Sequence, residues 1–164
     1  MHSNRIFATL TITVLLALAG LAAAAVAGCG GTDASASTAS IQFMSPADFK
    51  VADYAGKPLV MNYFASWCGP CNIEAPELSS FAKAHPGVAI IGVAVNDEQG
   101  AVMDFMGKYG LTYPVVMDDG RLQANDGVTG VPETIFYNAA GKQVDHIIGA
   151  ATTGQFDLGY AKAK

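Results

Sequence analysis

Cysteine and histidine are both scarce in this 164-residue chain, with three residues of each. A structural zinc site needs four ligands, usually two Cys-x-x-Cys pairs or one pair with two histidines. Only one such pair is present, Cys68 and Cys71; Cys29 lies far from it, and His2, His85 and His146 are scattered without ligand spacing. Positive charge is also short. Nine Lys and Arg against fourteen Asp and Glu give a net charge of −5, and no basic patch is visible, which argues against nucleic acid as a partner. No internal repeat is apparent. The length suits one domain with a real core.

Bulky apolar residues are absent from Gly30 to Ser40, so this stretch buries nothing and reads as a flexible tether, with the folded domain running from residue 41 to 164. The first 28 residues read as a targeting segment. Arg5 gives a weakly positive start, Ile6 to Val26 is uncharged and almost wholly apolar, and Val26-Ala27-Gly28-Cys29 is similar to a bacterial lipobox. On that reading Cys29 becomes the lipid-modified N-terminus and anchors the protein to a membrane. Cleavage without lipid and retention of the apolar run as a membrane span are the alternatives. All three place the domain outside the cytoplasm.

What the chain does have is organised around Ser66-Trp67-Cys68-Gly69-Pro70-Cys71. An apolar run, Leu59–Phe64, precedes it, and Leu78, Phe81 and Ala82 follow at helical spacing, which predicts strand, turn and helix. The first thiol then sits at a helix N-terminus, where the dipole and unpaired N–H groups favour thiolate. The pair reads as a reversible dithiol/disulfide couple, against half a zinc site or an inert disulfide. Further along, Phe49–Lys57 reads as a short strand and turn, and Val88–Val95 as a strand buried on both faces. Val102, Phe105, Met106 and Tyr109 form a helical stripe stopped by Gly110. Val115–Met117 is a third short strand with a turn at Asp118–Gly120. Residues 134–137 and 143–148 form a hairpin. Thr152–Lys164 is a weak helix, disfavoured by Gly154 and Gly159. The pattern is α/β, with helices on both faces of a mixed sheet.

Trp67-Cys68-Gly69-Pro70-Cys71 and Gly130-Val131-Pro132-Glu133-Thr134 together resemble the thioredoxin superfamily, and within it the extracytoplasmic TlpA/ResA/CcmG (DsbE-like) group. The resemblance covers roughly residues 43–148. It implies a thioredoxin-like fold, with the helix and strand between Gly100 and Met117 as the group's central insertion, and Pro132 as the family's cis-proline. Asn62 stands where classical thioredoxin has a buried aspartate, and Glu74 matches the acidic residue of the group's active-site cavity. The alternative to the cavity role, which is favoured, is a first-turn glutamate facing water; Pro76 fits an ordinary helix irregularity and the family's bent helix equally well.

The implied chemistry is thiol–disulfide exchange without a cofactor or metal. Cys68 is the nucleophile and Cys71 the resolving thiol, and the two form the disulfide; Glu74 manages the proton on Cys71. Trp67 is an exposed platform, and Val131 beside Pro132 pairs with an extended substrate segment. The expected role is reduction of protein disulfides, apocytochrome c foremost, by a monomer recharged from a membrane electron-donor protein. The same couple run backwards, introducing disulfides into secreted proteins, is the alternative, and a redox-inactive binding domain is a third. His146, in a hairpin strand, is expected at the surface or half-buried.

Overall fold

The computed structural model describes residues 40–164; the leader, Cys29 and all of the tether but Ser40 lie outside the described residues. The strands are β1 (Phe43–Met44), β2 (Leu59–Phe64), β3 (Ala89–Val95), β4 (Val115–Asp118), β5 (Glu133–Tyr137) and β6 (Gln143–Ile148). They form one sheet in the order β1-β4-β3-β2-β5-β6. β2, β3, β4 and β1 run parallel, whereas β5 is antiparallel to β2 and to β6. The helices are α1 (Gly69–Ala84), α2 (Gln99–Tyr109), α3 (Arg121–Asp126) and α4 (Thr153–Ala163). This is the mixed α/β sheet that the strand and helix patterns predict, with the inserted strand β4 between β1 and β3.

All of β2 is buried, and its alternation sorts residues between two cores. Val60 and Phe64 face a cluster completed by Leu78 and Phe81 of α1, Val102, Phe105 and Met106 of α2, and Phe156 of α4. Leu59, Met61 and Tyr63 face the other way, towards Val93, Val116 and Ile135. The long helices thus share one face. The second face is covered by short elements, with Val51, Tyr54 and Leu122 packed on it.

Two local expectations are corrected. Phe49–Lys57 contains no strand; Val51–Tyr54 is a 3-10 turn. Val51 and Tyr54 fall on the same side of such a turn, three residues apart, and both lean on the second core. The turn expected at Asp118–Gly120 instead opens α3: the Asp118 carboxylate accepts the backbone N–H groups of Leu122 and Gln123 at 3.0 and 3.1 Å, while Gly120 and Gly127 bracket the helix in left-handed conformations.

The C-terminal helix forms despite its glycines. Thr152 and Gln155 make a reciprocal capping box, and Phe156 is fully buried. Gly159 is a packing requirement: a Cβ there would lie 2.5 Å from Cε2 of Phe136, itself wholly buried. Gly159→Ala gains up to ~1 kcal/mol of helix propensity, and loses ~1–3 kcal/mol to overpacking. The expected outcome is net destabilisation of about 1–2 kcal/mol, visible as a melting temperature lower by several degrees. Gly154→Ala, with open space at its Cβ, is the control and should be neutral or stabilising.

Candidate functional site

The site lies where β2 ends and α1 begins. Cys68 is the N-cap of α1, with Pro70 in the first turn, and its Sγ accepts the backbone N–H of Cys71 at 3.1 Å. Proline in the first turn costs no hydrogen bond, because that N–H has no helical partner. Cys68 and Cys71 are joined as a disulfide, with Cα atoms 5.2 Å apart. Cys68 is slightly more exposed than Cys71, and its Sγ is 3.5 Å from the carbonyl oxygen of Val131. The Val131–Pro132 peptide is cis, so Val131 and Pro132 are brought to the first cysteine from 63 residues away in the chain.

Trp67 is 62% exposed, and its indole N–H donates to the Asn96 carbonyl at 3.0 Å. That carbonyl belongs to a residue in a left-handed conformation, φ 47°, which asparagine tolerates better than most side chains. Next to it, Asp97 accepts both the backbone N–H and the hydroxyl of Ser66, and also caps the backbone of Glu98 at 2.9 Å. The loop before the cysteines is therefore held from the end of β3. Asn72 fixes the other side. Its amide donates to the carbonyls of Ser66 and Cys68, and its oxygen accepts the Tyr109 hydroxyl of α2 at 2.7 Å. Between α1 and α2, Ser66, Asn72, Phe105 and Lys108 help line a cleft of about 260 Å³.

Glu74 is buried, 2% exposed, and does not face water. It follows Cys71 by one helical turn, on the same buried face of α1. One carboxylate oxygen accepts the Asn62 amide at 2.7 Å and the other accepts the Ala151 N–H at 2.8 Å. Asn62 is itself held by Thr134 at 2.9 Å. Burial pushes the Glu74 carboxyl up to about 7, and these two hydrogen bonds only partly oppose it. Tyr113 is buried in the same cluster, and its phenol is pushed well above its usual range, by burial first and by the Glu74 charge second.

Asn72, Asn96 and Asp97 escaped the sequence reading. The signal available for the last two was their place just past β3, because the C-terminal ends of neighbouring parallel strands converge on one edge of a sheet. Glu133 and His146 are also paired, at 2.7 Å. His146 is half-buried.

A thioredoxin-like fold carrying a Cys-Gly-Pro-Cys disulfide at a helix N-terminus, beside a buried carboxyl, defines the class. The chain belongs to the Redoxin family, whose model matches residues 33–154. It is 39% identical over 99 residues to the soluble secreted antigen MPT53 of Mycobacterium tuberculosis, covering 60% of this chain and 57% of that protein. It is 33% identical over 116 residues to the thiol-disulfide oxidoreductase ResA of Bacillus thuringiensis, covering 69% of this chain and 66% of that one. The match thus spans less than two thirds of either relative. Among solved structures, a secreted Mycobacterium tuberculosis disulfide oxidoreductase homologous to DsbE superposes with a TM-score of 0.63 at 32% identity, over 69% of this chain and 87% of that one.

A helix N-terminus favours the Cys68 thiolate and does nothing for Cys71 one turn inside. In the reduced protein, iodoacetamide at mildly acidic pH is expected to label Cys68 several-fold faster, read by peptide mass mapping. Equal labelling, or Cys71 first, reverses the assignment of nucleophile.

Proposed function

We propose that the protein is a thiol–disulfide oxidoreductase that works outside the cytoplasm and reduces disulfides in polypeptides. The observation that carries this reading is the placement of Cys68 at the N-cap of α1, its sulfur already accepting an N–H, with Cys71 and the buried Glu74 behind it. The Cys68 thiolate attacks one sulfur of a substrate disulfide, and the substrate's other sulfur leaves as thiolate and takes a proton. Cys71 then gives its proton to Glu74 and attacks Sγ of Cys68. The mixed disulfide breaks, the second substrate thiolate leaves, and Glu74 supplies the proton. Two electrons pass to the substrate, and the Cys68–Cys71 disulfide remains.

Glycine and proline between the cysteines favour the reducing direction, since a thioredoxin couple lies near −270 mV and strong oxidants near −120 mV. Equilibrating the couple against glutathione or dithiothreitol tests the direction. A potential below about −220 mV supports the reductase, and one near −120 mV assigns the oxidant instead. Insulin reduction with the parent and with Cys68 replaced separates both from a redox-inactive domain.

The substrate we favour is apocytochrome c before haem attachment, with electrons returned by a membrane protein. Support comes from the Gly130–Thr134 motif and from the ResA likeness. The Val26–Cys29 pattern supports a lipid anchor on Cys29, with residues 29–40 as tether. Among the described residues no helix is long and apolar enough to cross a membrane. Mass spectrometry of the membrane fraction should find a mature chain beginning at a lipidated Cys29; an unmodified Cys29, or a chain still beginning at Met1, overturns the lipid anchor.

A further inference from the structure

Glu133 begins β5 directly after Pro132, and its carboxylate is only 2% exposed. One oxygen accepts the backbone N–H groups of Thr129 and Gly130 at 3.0 and 2.9 Å and the Thr129 hydroxyl at 3.2 Å. The other oxygen is 2.7 Å from Nε2 of His146 on β6. A carboxylate only accepts, so Nε2–H donates. The proposed exchange mechanism uses neither residue, and both lie on the sheet face opposite α1, the face of Ile135 and Tyr137. Residues 128–132 belong to no helix or strand, yet they carry the Val131 carbonyl to within 3.5 Å of Cys68 Sγ.

We propose that His146, acting through Glu133, is a positioning residue for polypeptide substrates, because it fixes the Thr129–Val131 segment along which a chain bonded to Cys68 must lie. This rests on the disulfide-exchange reading. A disulfide holds its two Cα atoms about 5.5–6 Å apart, close to the 4.5–5.5 Å between residues paired across antiparallel strands. A polypeptide joined to Cys68 therefore runs within hydrogen-bonding reach of the Val131 backbone. A small-molecule disulfide has no chain to lay there. Without His146 the Glu133 carboxylate keeps one buried oxygen unpaired, and a buried oxygen in that state turns towards water. That change loosens its hold on Thr129 and Gly130.

The test compares the full chain with its His146→Ala and His146→Gln variants. Insulin is the polypeptide disulfide, with dithiothreitol as terminal reductant; Ellman's reagent is the small one, reduced by pre-reduced protein freed of dithiothreitol so that the Cys68/Cys71 dithiol is its only electron source. His146→Ala is expected to raise KM for insulin about tenfold, the equivalent of one hydrogen bond to a charged group, with kcat and the rate on Ellman's reagent unchanged. His146→Gln keeps a donor and should restore the parent KM. Amide exchange at Thr129 and Gly130 should quicken in His146→Ala and return in His146→Gln. Equal loss on both disulfides makes His146 merely structural, and an unchanged insulin KM overturns the proposal. Should the parent reduce neither disulfide, the exchange reading fails and the substrate role falls with it, while the two amides still report whether the clamp exists. Unchanged amide exchange in His146→Ala overturns the clamp itself. Should His146→Ala fail to fold, Thr129→Val, which removes the hydroxyl from the same carboxylate, must raise the insulin KM in the same direction, and an unchanged KM there overturns the proposal.

Discussion

Cys68→Ser is expected to reduce disulfide exchange to the uncatalysed background, while Cys71→Ser stalls with substrate bonded to Cys68. A serine oxygen forms no disulfide, so the first variant has no entry into the reaction. In the second, attack by Cys68 still proceeds, because its N-cap position and the Cys71 N–H that its sulfur accepts belong to the backbone and survive the substitution. Resolution does not, because no second sulfur stands one turn inside the helix. Non-reducing electrophoresis of Cys71→Ser with a disulfide-bonded polypeptide should show a band of the summed mass that dithiothreitol removes. A trapped complex on Cys68→Ser instead would exchange the two roles. Parent-rate turnover by either single variant would sink the two-cysteine mechanism.

What the sequence made legible was local. The Cys-Gly-Pro-Cys run, the apolar Leu59–Phe64 strand and the stripe from Val102 to Tyr109 each declare themselves within a dozen residues, because period and turn chemistry act over that range. Glu74 belongs to the same class, since an i, i+3 offset from Cys71 fixes its face as soon as the helix is assumed. Its burial was legible only through the family resemblance, because it depends on Asn62 from β2 and on the Ala151 N–H just before α4. Asp97 is 31 residues from Ser66, and only the adjacency of β2 and β3 brings it near. The Glu133–His146 pair needs the hairpin register, in which Ile135 opposes His146, and one residue of slip would turn His146 to the other face. The 3-10 turn at Val51–Tyr54 and the six-residue α3 are too short to show a period, so caps and core contacts decide them. Gly159 misled in the opposite direction: read as a helix breaker, it is the residue that lets α4 settle on Phe136.

Glu74→Gln should slow exchange by about 10²-fold near neutral pH, the low end for a lost general acid–base group because water substitutes in part. Cys71 is buried and must lose a proton to attack and regain one when the disulfide is next opened. Glu74, on the same helix face and pushed up to about 7 by burial, is close to half-ionised at neutral pH and so takes or gives that proton at little cost. Glutamine fills the same space but carries no titrating proton. The rate profile of the parent should bend near pH 7, and that inflection should vanish in the variant. Stability supplies a second readout with a defined sign. The unfolded carboxyl titrates near its ordinary value of 4.5 while the folded one holds its proton to about 7, so between these pH values the folded state binds the extra proton. Stability from this group is then fully present below pH 4.5 and is lost as pH rises through 7, by about 3 kcal/mol in all. In Glu74→Gln that part of the pH dependence should disappear, and urea unfolding at pH 5 and pH 8 should differ by correspondingly less than in the parent. A variant that keeps both the parent rate from pH 5 to 9 and the parent stability slope would leave the Cys71 proton without a carrier in this site.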